Sequence, residues 1–299
     1  MTTHRSQYSV GILFAVAAAV IFGLIPLFSV PLLKAGLNVS NIVCYRFALS
    51  TVAMALVMLV RRISIRVSGK EFLTLLLLSF FYAMTALLLT ASYQYIPTGI
   101  ATTIHFLYPV WVTLLTILLF KEKVSTPTLL TMAFAIGGVA LLSLSGTNTH
   151  HIDPKGIWIV LGTVVTYGTY LAWLPKSVVK AMDGLKITFW MMLCCTLIFS
   201  MNIMIRYGVA GFQTLPTPDC WIYLLLGSLL PTLVANLTLI QAVRRVGSTV
   251  TSVLGSLEPL TAVLVGMLVF GERCNAGQIL GILVVLAAVS MLIFFRSKK

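Results

Sequence analysis

Acidic residues are scarce in this sequence. The chain holds 7 Asp and Glu against 20 Lys and Arg, and charged residues of all kinds make up only 9%. A soluble domain carries roughly a quarter charged residues. There is too little charge here to cover a water-facing surface, so the chain expects lipid as part of its solvent. A hydrophobic content of 59% and a mean hydropathy of +1.04 agree. Acids also run short for chemistry. The full inventory is Glu71, Glu122, Asp153, Asp183, Asp219, Glu258 and Glu272, and only Glu258 stands well inside a long apolar run. No pair of carboxylates can be assembled in the membrane for acid–base hydrolysis. HExxH, GxSxG, P-loop and GxGxxG motifs are missing as well. The sequence therefore reads as a non-enzyme without cofactor.

Cysteine is sparse and odd in number: Cys44, Cys194, Cys195, Cys220 and Cys274. No CxxC occurs, and several of the five lie in apolar runs. That argues against a disulfide framework or a zinc site and leaves small packing residues. His150 and His151 are adjacent, but only Asp153 stands near them, so they read as solvated loop and no metal site is expected. The excess of base, +13 overall, does not mark a nucleic-acid binder. The basic residues form short clusters between apolar runs, such as Arg61, Arg62, Arg66 and Lys70, rather than one face of a domain.

What is abundant is apolar sequence in long stretches. A bilayer-spanning helix needs about 20 mainly apolar residues. That rule gives about ten spans, at 10–30, 41–60, 72–93, 99–120 and 128–144, then 156–173, 187–204, 221–241, 249–270 and 277–295. Lipid-exposed backbone must satisfy its own hydrogen bonds, so these are helices. The short alternating segments of a β-barrel are not visible. The first run is longer than the roughly 7–15 residues of a signal-peptide core and reads as a retained span. With the N-terminus placed in the cytoplasm, inside segments collect fifteen of the 20 Lys and Arg. Only Lys34, Lys155, Arg206 and Arg273 fall outside, and Arg46 lies within the second span. The positive-inside rule then places both termini in the cytoplasm of a multi-pass cell (inner) membrane protein.

The chain also resembles itself. At an offset of 150 positions, Leu107, Pro109, Leu114, Leu118, Phe120 and Glu122 match Leu257, Pro259, Leu264, Leu268, Phe270 and Glu272. At an offset of 145, Gly11 and Phe22-Gly23 echo Gly156 and Tyr167-Gly168. Five spans per half is an odd number, so the halves enter the membrane in opposite directions. Inverted repeats place a substrate site at their interface near the midplane, and one half moves against the other to give alternating access.

These residues carry a family resemblance. Tyr45-Arg46-Phe47, Leu107-Tyr108-Pro109, Phe120-Lys121-Glu122-Lys123, Ser256-Leu257-Glu258-Pro259-Leu260, Phe270-Gly271-Glu272-Arg273, Gly277 and Gly281 resemble the EamA-type ten-helix members of the drug/metabolite transporter superfamily. The first repeat departs in having Lys121 where the family usually has Gly. The resemblance covers essentially the whole chain, as repeats at 10–144 and 156–295. It implies an all-α integral membrane carrier of small organic solutes, often an exporter of amino acids or related metabolites. Organic cations, drugs and nucleotide-like metabolites are the alternative cargo. A non-transporting receptor or a channel is the alternative of a different class. The partners expected are the lipid bilayer, a small-molecule substrate and a coupling proton, with no nucleic acid and no assigned oligomeric state.

Candidate site residues follow from position. Glu258 sits near the middle of the ninth span, where an ionised carboxylate costs several kcal/mol unless paired or hydrated. It reads either as a site residue or as a hydrogen-bonded packing element beside Pro259. Thr102, His105 and Tyr108 lie three residues apart on the fourth span. Ser252, Gly255 and Glu258 hold the repeat-matched positions on the ninth. Together these six are expected to line a central cavity, with interhelical hydrogen bonding as the alternative. Arg46 is expected near the outer end of its span. It either snorkels to the surface or partners a substrate or ion. Tyr82, Trp111, Tyr167 and Tyr170 are mid-span aromatics that suit either an organic solute or the core.

Overall fold

The computed structural model describes residues 2–96, 98–121, 123–144, 153–270 and 275–297. Its regular structure among these residues is entirely helical. The first repeat contains α1 (Thr2–Phe22), α2 (Ile25–Lys34), α3 (Val39–Val60), α4 (Gly69–Ser92), α5 (Thr98–His105), α6 (Tyr108–Leu118) and α7 (Thr126–Leu144). The second contains α8 (Pro154–Trp173), α9 (Gly184–Tyr207), α10 (Asp219–Ser228), α11 (Ala235–Val246), α12 (Ser248–Leu254), α13 (Leu257–Phe270) and α14 (Ala276–Ser297). A π-helical turn, Leu229–Val234, joins α10 to α11. Six continuous helical segments among the described residues are long and apolar enough to cross a membrane, from Gln7–Lys34 to Asp219–Val246. Shorter apolar helices accompany them.

The described acids outside the apolar runs start helices. Ser68 and Glu71 form a reciprocal capping box on α4. Asp153 caps α8 at Lys155 N, and Asp183 caps α9 at Leu185 N, each at 2.8 Å. Asp219 opens α10. Glu71, Asp153 and Asp183 satisfy orphan amide donors, and all four carry negative charge at the positive end of a helix dipole.

Four interruptions follow one rule. Proline lacks an N–H and its ring clashes with the carbonyl four residues earlier. Pro26, Pro109, Pro231 and Pro259 stand four residues after Phe22, His105, Gly227 and Gly255. Helix α1 ends at Phe22, α5 at His105, α10 one residue beyond Gly227, and α12 immediately before Gly255. The fourth and ninth spans, expected as single helices, are therefore each two helices with a break at mid-length. At Pro231 the chain continues as the π turn instead. The Gly227 carbonyl that Pro231 cannot serve accepts the Thr232 hydroxyl at 2.7 Å, and the Ser228 carbonyl accepts Ser50 from α3 at 2.8 Å.

Packing repeats along with the sequence. The most extensive interfaces are α7 with α14, α1 with α11, α4 with α8, and α3 with α9. Exchanging the repeats maps the first and last pairs onto themselves and the middle two onto each other. Glycine contacts agree at residue level. A Cβ at Gly11 would lie 2.7 Å from the Arg245 and Val246 side chains, and one at Gly156 would lie 2.8 Å from Tyr95 and Ile96. Both contacts obey the offsets of 145 and 150. Likewise Gly23 abuts Thr261, while Gly168 abuts Trp111. Large apolar side chains such as Leu59, Val60, Trp158 and Ile205 stay exposed on the outer faces, where lipid solvates them. Cys44, Cys194, Cys195 and Cys220 are buried free thiols. Cys274, His150, His151, Arg273 and the expected Glu122–Glu272 superposition lie outside the described residues.

Candidate functional site

The breaks in the fourth and ninth spans meet in the core. There the chain leaves a cavity of about 40 Å³, room for roughly three waters at ~10–15 Å³ each. Arg46, Tyr82, Thr85, Thr90, His105, Tyr167 and Glu258 supply its polar wall, and Phe22, Ile25 and Phe47 belong to its apolar wall. A second cavity of about 10 Å³ lies among Ala15, Ala18, Ala19, Leu239, Tyr108, Thr251 and Gly255. Phe22, Tyr167 and Glu258 border both spaces. They stand as a partition between the two pockets.

Glu258 occupies the first turn of α13, directly after the break, and is 7% exposed. The positive end of the helix dipole favours a negative charge there. Its carboxyl has no side-chain hydrogen bond or ion pair among the described residues. The break thus presents an unpaired acid to open space instead of locking it between helices.

His105 is the last residue of α5 and is buried. Its Nδ1 lies 2.7 Å from Thr163 Oγ1. The Thr163 hydroxyl has one proton, which it donates to the Val160 carbonyl. The proton of the His105–Thr163 bond therefore belongs to Nδ1, which leaves Nε2 of the neutral ring as a free acceptor. The ring packs 5.2 Å from Tyr108 and 5.3 Å from Tyr167, and Tyr108 meets Tyr167 edge-on at 4.7 Å. Tyr82 stands beside Tyr170 at 5.2 Å and accepts a hydrogen bond from Asn236.

Tyr108 lies on the other side of its break. Its hydroxyl sits against the Cα of Gly255, in the space a Cβ would fill. Tyr108 and Gly255 therefore border the smaller cavity, His105 borders the larger one, and Glu258 borders both. Thr102 and Ser252 border neither. Their hydroxyls bond back to Thr98 O at 3.0 Å and Thr249 O at 2.9 Å within their own helices. The uninterrupted face that three-residue spacing predicts for Thr102, His105 and Tyr108 does not exist, because Pro109 divides it.

Arg46 corrects a second expectation. It does not snorkel outward but is 4% exposed in the core. Its Nε and one Nη donate to Thr232 Oγ1 at 3.2 and 2.9 Å, and the other Nη donates to Ser29 Oγ at 3.2 Å. Ser29, Thr232, Thr163 and Asn236 are site residues that sequence reasoning missed. Hydroxyls and amides in spans are usually interhelical ties. The one available signal was Thr232 next to Pro231, whose missing N–H frees a carbonyl for that hydroxyl.

The arrangement holds one cation, one acid and an imidazole acceptor around a small space, with aromatic rings between them. Among the described residues there is no cluster of His, Cys, Asp and Glu fit for a metal ion.

Comparison with known proteins follows the same two-part division. The EamA-like transporter family matches residues 9–144 and again 154–294. An uncharacterized transporter, sll1319, of Synechocystis sp. (strain ATCC 27184 / PCC 6803 / Kazusa) is 27% identical over 220 residues. That match takes in 69% of this chain and 61% of the relative. A crystal structure of another protein is similar over 96% of this chain and 97% of its own, with a TM-score of 0.79 at 12% identity, a likeness of fold alone. With the family matched twice over nearly its whole length, this chain belongs to the EamA-like transporter family and is a multi-pass membrane protein.

Proposed function

We propose that this protein exports small organic metabolites, amino acids or related compounds, across the cell membrane by alternating access. Ten passes in two inverted five-helix halves, at 10–144 and 156–295, carry the motion, with both termini in the cytoplasm. The observation behind this reading is the pair of pockets on either side of Glu258, Tyr167 and Phe22, at the meeting point of both broken helices. The repeated glycine contacts support an inverted pair of halves that rock about this point. A space of this size admits only part of an organic solute, so entry requires the helices to part. Glu258 serves as the protonatable group that couples a proton to that motion.

Aromatic rings beside a carboxylate also suit an organic cation, and that is the second reading of the cargo. Counterflow in proteoliposomes separates the possibilities. A preloaded amino acid that accelerates entry of its labelled counterpart supports the proposal. Flux with no trans-stimulation, for every amino acid and amine tried, rejects a carrier of these solutes. Cysteine accessibility tests the topology. Labelling of the 145–155 connection only from the cytoplasmic side would rule it out.

A further inference from the structure

Among the described residues Arg46 has no counter-ion. It is 4% exposed, and its three hydrogen bonds all go to neutral hydroxyls, those of Thr232 and Ser29. No described carboxylate pairs with it, Glu258 included, although both border the same cavity. A buried charge without a partner is strongly destabilising, and charges inside membrane helices mark ligand pathways. A monoanion that enters the cavity would supply that compensation.

The hydrogen bonds show what kind of group that is. Thr232 Oγ1 accepts from Arg46 twice and donates its proton to the Gly227 carbonyl. It is saturated and fixes the guanidinium in place. Ser29 Oγ accepts from Arg46, and its own proton is unclaimed among the described residues. Of the five N–H groups of a guanidinium, two also lack a protein acceptor here. Arg46 lines the cavity and Ser29 does not, so the wall offers guanidinium N–H donors around a single positive charge, held in place by Ser29 and Thr232 behind it. A planar guanidinium edge matches the two oxygens of a carboxylate. One positive charge balances a monoanion and leaves a phosphate dianion uncompensated. The room for about three water-sized groups matches a carboxylate head.

Resting on the transport reading above, we infer that Arg46 forms a carboxylate subsite that anchors the acid group of the substrate, with Ser29 and Thr232 as positioning residues. The proposal narrows the cargo to compounds that carry a carboxylate and counts against simple amines.

Purified full-length protein in detergent tests it directly with acetate, propionate and benzoate as probes, each against chloride at equal ionic strength. In the wild type these carboxylates should raise the unfolding midpoint by about 2 °C or more through mass action. The rise should vanish in Arg46→Gln and shrink in Arg46→Lys, which keeps the charge and loses the fork. No rise in the wild type, or an equal rise in Arg46→Gln, overturns the proposal. If Arg46→Gln yields no folded protein, Ser29→Ala decides: a smaller rise supports the subsite and an undiminished one overturns it. Counterflow run in parallel keeps the two readings apart. A carboxylate shift that depends on Arg46, without transport, would leave the subsite standing and reject the carrier.

Discussion

The two broken spans share a backbone plan and differ in what fills it. At the first break His105 is followed three residues later by Tyr108, and at the repeat-matched second break Gly255 is followed by Glu258. Tyr108 reaches across and closes onto bare Gly255, whereas Glu258 is too short to close onto the His105 ring and leaves a cavity of about 40 Å³. The second span shows the same divergence, with Arg46 matched at an offset of 145 by Met191, a buried thioether. Internal repetition therefore supplies the scaffold, and local departure from it supplies the chemistry. A site made of symmetric residues would be filled, or empty, on both sides.

The largest test of this asymmetry is transport by Glu258→Gln beside Tyr108→Phe. The Gln variant should insert and fold normally yet lose about tenfold or more in rate, equivalent to a little over 1 kcal/mol, or lose its pH dependence. Tyr108→Phe keeps the ring that fills the gap and should lose much less. An unchanged rate and pH profile in Glu258→Gln would return that carboxyl to a structural role. Loss of stable protein would do the same.

Next comes Gly255→Ala. A methyl group there collides with the Tyr108 hydroxyl, and overpacking of this kind costs about 1–3 kcal/mol. The thermal midpoint should fall, and adding Tyr108→Phe should recover part of the loss. A drop that the double variant does not relieve would mean that the break itself, not the ring, sets the cost. A finer comparison pits Gly23→Ala against Gly168→Ala. The added methyl at Gly23 lies 2.6 Å from the Glu258 carbonyl, while at Gly168 it lies 2.7 Å from a Trp111 side-chain atom. Backbone yields less readily than a side chain, so Gly23→Ala should lower the midpoint more. Equal losses would blur the distinction between the two halves.

The smallest effect is expected from Thr163→Val. It removes the acceptor that holds the proton on His105 Nδ1 and should cost about 1 kcal/mol. Solute affinity should change as well if Nε2 faces the solute. A stability loss without any change in affinity would confine Thr163 to packing.

Much of this architecture was legible beforehand. Long apolar runs marked the membrane class, and the offsets of 145 and 150 marked matched halves. Gly11, Gly23, Gly156 and Gly168 lay on those offsets, and the structure gives their reason as close helix contact. Pro109 and Pro259 were visible as repeat anchors, but hydropathy has no sensitivity to a hydrogen bond lost within an apolar stretch, so the breaks at these two prolines were not. The candidate residues were legible as types and not as partners. Glu258 and Arg46 stood out because charge is rare in such segments. Whether Arg46 reached water or Thr232, 186 positions along the chain, depended on a carbonyl freed in another helix. Threonines are common in these spans, and only three-dimensional placement separates the Thr163 that orients His105 from the Thr102 that bonds to its own helix.

The buried thiols have a practical consequence. Cys44 faces Ser200 at 3.4 Å across the interface of α3 with α9, and Cys195 donates to the Ser79 carbonyl. A small alkylating reagent can reach them only while neighbouring helices are apart. The native chain therefore carries its own clock. The rate at which Cys44 becomes alkylated would time the separation of α3 from α9, and a solute that holds those helices together would slow it without any probe being introduced.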